Sequence, residues 1–410
     1  MTGDAIARTL DVDAAVARRW DALVIGAGPA GALAARQAAQ GGKRVLLVES
    51  KSFPRAKVCG ACLNGPALAV LKAVGLEGLP GALGGLAINQ FDVRSHRRGV
   101  RLALPGGIAV SRKRFDAALV EAAIAAGAEF LPETAALLGE IAGSGGEEAR
   151  TVVLRFRDTA PREGRAGIVL AADGLGHASL RDCTDFSSHI ARNARIGLGV
   201  IVAEYPDAYA PGTIFMAVAH RGYVGLVRVE DGLLNIAAAL EPELVKRHGA
   251  PADALAAIIE EAGFPAIPAL ARAECLGTLP LTRRTTPVAS RRVLVLGDAA
   301  GYVEPFTGEG MAWALAAAGA SAPFIERGHR EWDAALERDW HRLLHRVVFR
   351  RQRWCRLLAI ALRHPLAMRI ALDTVSLVPS LSAPIIRSLN RPPTATAGVS
   401  PVGGAHHEPE

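Results

Sequence analysis

Six residues near the start of the chain, Gly26-Ala27-Gly28-Pro29-Ala30-Gly31, constrain its fold more than any other stretch. They follow a short apolar run, Ala22-Leu23-Val24-Ile25, and open an alanine-rich helical pattern from Pro29 to Gln40 that stops at Gly41-Gly42. A second apolar run, Val45-Leu46-Leu47-Val48, completes the unit, and Glu49 closes it 18 residues after Gly31. Short apolar runs bounded by glycine read as buried parallel strands, so the segment is a βαβ unit. In such a unit the first glycine allows the tight turn, the second admits a pyrophosphate to the backbone, and the third lets helix and strand pack closely. The helix N-terminus, beginning at Pro29 and Ala30, favours phosphate charge. Glu49, with Ser50 beside it, stands where a carboxylate accepts hydrogen bonds from ribose hydroxyls and repels a 2′-phosphate. The alternative is a glycine turn without a ligand, and the terminal acid argues against it.

A second motif lies far down the chain. The strand-like run Val293–Leu296 leads into Gly297-Asp298-Ala299-Ala300-Gly301, and then into Thr307-Gly308-Glu309-Gly310 at the start of a helical pattern. Asp298, delivered to a strand end, can accept from the hydroxyls of a ribityl chain; the other reading is a helix cap. The free N–H groups of a helix beginning near Gly308 and Gly310 would favour negative charge on a flavin ring.

Together and in this order, the two motifs resemble the flavoprotein superfamily of geranylgeranyl reductases, p-hydroxybenzoate-hydroxylase-type monooxygenases and flavin-dependent halogenases. The resemblance covers roughly residues 20–330. It implies noncovalently bound FAD, NAD(P)H as reductant and a hydrophobic small-molecule substrate. It also implies that Asp173-Gly174, after the strand-like run Ile168–Ala172, lies near FAD, and that Arg112 contacts it. Gly301 stands where aromatic hydroxylases carry histidine, and Thr307–Gly310 is similar to the geranylgeranyl-reductase form. The halogenase Trp-x-Trp-x-Ile-Pro signature is absent, and the reductase's aromatic run ending in Phe-Pro is not evident near Gly222–Leu226. The reading that follows is a monooxygenase of an aromatic, quinone or polyketide-type substrate. The first alternative is reduction of prenyl double bonds. The second is electron transfer through a Cys59/Cys62 dithiol.

The implied fold class is α/β: a Rossmann-like FAD-binding domain of the glutathione-reductase type, with an inserted, mainly antiparallel substrate sheet and a helical C-terminal region. The expected division is an N-terminal extension (1–20), three pieces of FAD-binding domain (21–85, 112–185 and 286–328), substrate-domain strands (86–111), a substrate-binding sheet (186–285), a helical region (329–390) and a disordered tail (391–410). A length of 410 residues suits two joined domains.

The segment Phe53-Pro54-Arg55-Ala56-Lys57-Val58-Cys59-Gly60-Ala61-Cys62 offers a Cys-x-x-Cys pair. Zinc requires four ligands, and no second pair exists, so no metal is expected. Basic neighbours Arg55 and Lys57 would lower a thiol pKa and favour a redox dithiol. The resemblance instead places this cysteine-glycine loop beside the flavin, with Gly60 at the closest approach. Five cysteines are too few for a disulfide scaffold, no apolar leader precedes the first strand, and no apolar run spans a membrane. A cytoplasmic protein is expected.

The net charge of +7 is concentrated late: from His341 to Leu372 there are eight arginines and no acid. Arg342, Arg346, Arg350, Arg353 and Arg356 recur at helical spacing on one side, and Leu344, Val347, Trp354, Leu358 and Ala361 on another. Such a helix either lies on an anionic membrane surface or has simply solvated arginines. Without an aromatic-interleaved basic sheet, no nucleic-acid partner is expected.

Overall fold

A computed structural model describes residues 5–390 apart from Asp158, Pro305, Thr307 and Leu362. The expected disordered tail, 391–410, lies outside the described residues. Two eight-stranded sheets carry the architecture. The first has a parallel centre in which Val293–Val295, Arg162–Ala171, Arg19–Ile25, Val45–Val48 and Glu129–Leu131 lie side by side. Helices cover the sheet, so its central strands are buried on both faces and read as unbroken apolar runs. The antiparallel strands Thr134–Ala142 and Ala149–Phe156 extend it.

The second sheet runs, in spatial order, Leu276–Pro280, Ile196–Val202, Leu234–Leu240, Gly222–Arg228, Thr213–Ala219, Leu86–Ser95, Arg98–Ala109 and Cys62–Asn64. All its neighbours are antiparallel except Thr213–Ala219 and Leu86–Ser95, which pair in parallel. The strands expected between Ile196 and Leu240 and between Leu86 and Leu104 are all present, with turns at Gly212 and Gly232 where φ is positive. The expected α/β class is therefore the observed one.

The two motifs meet through glycine. A Cβ on Gly26, whose φ is +99°, would lie 2.5 Å from the Ala172 carbonyl oxygen, and one on Gly31 would lie 1.8 Å from that of Gly26. A Cβ on Gly297 would lie 2.8 Å from the Ala30 methyl. Gly31 thus sets how closely the helix Pro29–Gln40 packs on the first strand, and Gly297 sets how closely the late motif packs on that helix.

Three departures from the sequence reading are physical. The first strand begins at Arg19, inside the expected extension, because Trp20 is buried and its indole N–H donates to the Ala15 carbonyl at 2.8 Å. A helix, Val12–Ala17, capped by Asp11, precedes it. The C-terminal helical region is broken into Ala322–Arg330, Ala334–Leu344, a π-helical turn His345–Phe349, Arg350–Ala361, Pro365–Leu377 and Ala383–Leu389. A π turn inserts one residue and rotates all that follows by roughly 100° about the axis. Val347, Val348 and Phe349 are consequently all buried, while Trp354 turns outward beside Arg350 and Arg353 and is 68% exposed. The expected separation of arginine and apolar faces fails at Trp354 for this reason; the side chains of Leu358 and Ala361 lie outside the described ones.

Gly31→Ala tests the close packing. The added methyl should destabilise the protein by about 3 kcal/mol, since the backbone itself must move. A thermal unfolding midpoint equal to that of the wild type would disprove the contact.

Candidate functional site

A cavity of about 400 Å³ opens between the carboxyl ends of the parallel strands and one face of the second sheet. Ligands in open parallel sheets bind at such strand ends. Gly28, Pro29 and Ala30 contribute its first wall, Ala172 and Gly174 its second, and Asp298 its third. Each follows a parallel strand, so the sheet brings together residues far apart in sequence.

Charge is concentrated at this end. Arg112 is the first residue of the helix Arg112–Ala125, which Ser111 caps by accepting from the Arg114 N–H. Its guanidinium donates to both oxygens of Asp116, one turn on, at 2.6 and 2.7 Å. Burial opposes its charge, but Asp116 more than offsets that, so Arg112 stays protonated. Arg55 bridges Asp116 and Glu49, each at 3.2 Å. A Cβ on Gly28 would come only within 3.7 Å of Arg112 and 3.8 Å of Arg55, which leaves room above the turn. Lys57 also lines the cavity. Burial, and then Arg112, pull its pKa down, while Asp298 pulls it up. Burial pushes Asp298 and Asp173 up from the usual carboxylate range. Asp298 has no hydrogen-bond partner among the described residues, and one buried oxygen of Asp173 has none either, the other accepting from the Ser179 N–H at 2.9 Å.

The opposite wall comes from the late motif and the cysteine loop. Gly308, Gly310 and Met311 line the cavity at the start of the helix Gly310–Gly319, whose N-cap, Glu309, makes no side-chain capping bond. Among the described residues, no side chain caps this helix end at the cavity wall. Thr307 lies outside the described residues. Asp298 sits in the short 3₁₀ turn Gly297–Ala299 rather than at a cap position, which removes the capping alternative. Cys59, Gly60 and Cys62 also line the cavity, and all five cysteines are free thiols.

The expected lowering of thiol pKa by Arg55 and Lys57 is overturned at Cys62. Burial pushes that thiol up, with Cys59 adding to the effect, because Arg55 is occupied by Glu49 and Asp116 and Lys57 faces Asp298. At Gly60 a Cβ meets no protein atom within 4 Å, so a side chain there would enter the cavity.

Of the residues singled out by sequence, Gly28, Pro29, Ala30, Cys59, Gly60, Cys62, Arg112, Asp298, Gly308 and Gly310 line one cavity. Gly26, Gly31 and Gly297 shape the backbone around it. Glu49 lies behind the wall, accepting from the Ala27 and Lys51 N–H groups, the Ser50 hydroxyl and Arg55. Gly301 faces away, paired with Arg284 and accepting from Gln352 at 2.8 Å. Sequence reading missed Lys57 as a cavity residue, together with Tyr223, Tyr302 and Phe306. The only available signal was the position of Lys57 two residues before Cys59. Among the described residues, no cluster of three or more His, Cys, Asp or Glu could hold a metal.

These residues fit FAD. There is an open glycine turn, an uncapped helix end, unpartnered carboxylate oxygens for hydroxyl groups, and the cations Lys57 and Arg112 for phosphate. The FAD binding domain family matches residues 19–319, and the chain belongs to it. The chain is 28% identical over 319 residues to digeranylgeranylglycerophospholipid reductase 2 of Methanothermobacter thermautotrophicus, covering 72% of this chain and 74% of that protein. It is 26% identical over 360 residues to the menaquinone reductase of Mycolicibacterium smegmatis, covering 76% and 77% respectively. In structure it is similar to the flavin-dependent brominase Bmp2, with a TM-score of 0.74 at 17% identity over 93% of this chain and 97% of that one.

Two variants test the site. Lys57→Met should weaken FAD binding by about tenfold or more, the scale of one charged hydrogen bond. Gly60→Val should fold normally yet purify with less flavin. Titration of the apoprotein with FAD, followed by flavin absorbance, reads both; unchanged affinity in Lys57→Met would remove that residue from the site.

Proposed function

We propose that this FAD-dependent oxidoreductase reduces carbon–carbon double bonds in a prenyl chain, with NAD(P)H as its reductant. The observation that carries the reading is the division of the cavity. Charged groups gather at the dinucleotide end, whereas the sheet end is lined by Phe91, Leu102, Leu104, Ile214, Met216 and Leu226. An apolar wall of this kind holds a long hydrocarbon by burial alone and offers no cation to bind a phenolate. The named activities of the two curated relatives, a prenyl-lipid reductase and a menaquinone reductase, support it.

Bound FAD, once reduced, supplies a hydride. The chain's own residues must then orient the alkene, exclude water and hold a proton. Cys62, Tyr223 and Tyr302 all line the cavity, and burial disfavours the anion of each, so all three keep their protons at neutral pH. Phe306 packs edge-on against both Phe91 and Tyr223, at centroid distances of 6.1 and 5.2 Å, and closes the apolar end against the late-motif loop. Glu49, Arg55, Arg112, Asp116, Lys57, Asp173 and Asp298 serve cofactor binding in this reading.

Hydroxylation is the second reading. It is favoured by the missing Phe-Pro run near Gly222–Leu226. The Cys59/Cys62 dithiol relay is disfavoured, since the Cys62 thiolate is hard to form.

Anaerobic mixing of the reduced holoenzyme with a digeranylgeranyl lipid distinguishes these readings. Reoxidation of the flavin without oxygen, with a product gaining hydrogen, is the expected result. Flavin that reoxidises only when oxygen is admitted, with oxygen incorporated into product, would overturn reduction in favour of hydroxylation. Cys62→Ser should retain measurable turnover; complete loss in both Cys62→Ser and Cys59→Ser, with FAD retained, would restore the dithiol.

A further inference from the structure

The C-terminal helices show an outer surface that the functional reading leaves unused. On Arg350–Ala361 the buried side is Gln352, Cys355 and Ala359, and the opposite side presents Arg350, Arg353, Trp354, Leu357 and Ile360. Trp354 is 68% exposed, Leu357 57% and Ile360 50%. The next helix, Pro365–Leu377, packs Met368 and Leu372 inward and turns Ile370 and Leu377 outward, the latter 83% exposed. Isolated exposed apolar residues are ordinary; three large ones along one helix, Trp354, Leu357 and Ile360, with more on the next helix in the chain, mark a contact surface.

We infer that this surface docks on an anionic bilayer. The charge selects the partner: arginines sit among the apolar side chains, from His341 to Leu372 there is no carboxylate, and Asp373, the acid on the second helix, is paired with Arg98 at 2.8 Å and Arg369 at 3.9 Å. A tryptophan with flanking leucine, isoleucine and arginine on one helix face matches the interfacial zone, where apolar side chains enter the acyl boundary and guanidinium groups meet phosphate. Among the described residues no helix is long and apolar enough to cross a membrane, so the contact is with the surface.

The position of this surface gives the docking a consequence. The same helical layer walls the cavity through Val375, Ser382, Ile386 and Asn390. Its inner side also grips the loop of the late motif. Gln352 donates to the Gly301 carbonyl at 2.8 Å, the Cys355 thiol donates to Glu309 at 2.9 Å, and Arg363 faces Glu304 at 3.6 Å. A bilayer bound outside these helices therefore lies against the wall of the apolar chamber, where a lipid substrate passes from membrane to cavity without crossing water. Docking itself rests on exposure and charge; only the passage of substrate rests on the proposed reduction.

The test is flotation of the full-length holoenzyme with vesicles of phosphatidylcholine alone and of phosphatidylcholine with phosphatidylglycerol, without substrate. The expected result is binding to the anionic vesicles that weakens with salt. Arg350→Gln/Arg353→Gln should lower the partition coefficient by about 30-fold. Trp354→Ser/Leu357→Ser should lower it by about tenfold or more. Circular dichroism and flavin content should be unchanged in both. Equal partition on neutral and anionic vesicles, or wild-type binding by both double variants, would overturn the inference. So would a concentration-dependent dimer abolished by Trp354→Ser/Leu357→Ser, which would assign the face to a second copy of the chain.

Discussion

Arg112 and Asp116, one helical turn apart and joined at 2.6 and 2.7 Å, anchor a buried charge cluster around which the site is built. An isolated buried charge is costly, so each group here needs partners. Asp116 satisfies Arg112 and shares Arg55 with Glu49, and Glu49 in turn accepts the Ala27 N–H inside the glycine turn. The position of the glycine turn is thus tied to a helix that begins more than eighty residues later. Lys57 completes the cluster at the cavity wall, where burial and Arg112 pull its pKa down and Asp298 pulls it up.

Such a cluster is only partly legible in a sequence. The glycines were readable because each follows from local geometry: a positive φ at Gly26, a Cβ collision at Gly31, open space above Gly28. Asp298 was readable because a strand end fixes where its side chain goes. The fold followed from period and punctuation, as the strands between Ile196 and Leu240 show. Arg55 and Lys57 were visible only as basic neighbours of Cys59, and that proximity misled. Their partners, Asp116 and Asp298, are distant in sequence, and the sequence does not show that Arg55 pairs with Asp116 or that Asp298 acts on Lys57.

The C-terminal region shows a different limit. Helical periodicity was plain in the sequence, yet its phase was not, because a single π turn at His345–Phe349 rotates the succeeding helix. One extra residue exchanges inside for outside, much as a one-residue slip does in a strand. It allows three consecutive apolar residues, Val347 to Phe349, to be buried together, and in doing so it places Trp354 among the arginines.

The loop between Asp298 and Gly310 then becomes the point where cofactor, cavity and outer helices meet. Glu304 is buried between Arg195 at 3.3 Å and Arg363 at 3.6 Å, and burial raises its pKa against the pull of both arginines. Among the described residues, one of its oxygens and two guanidinium nitrogens of Arg195 have no hydrogen-bond partner although both residues are almost wholly buried. Glu309, five residues on, is held by Cys355 and faces Arg351 at 3.7 Å. Partly satisfied buried polar groups are costly, and a fold retains them where they fix a geometry. Here the geometry is the turn that carries Gly308 and Gly310 to the cavity. Arg195 immediately precedes the strand Ile196–Val202 of the second sheet, while Arg363, Arg351 and Cys355 belong to the outer helical layer, so the loop is gripped from both sides. Two buried carboxylates, Glu304 and Glu309, thus tie this part of the cavity wall to both layers.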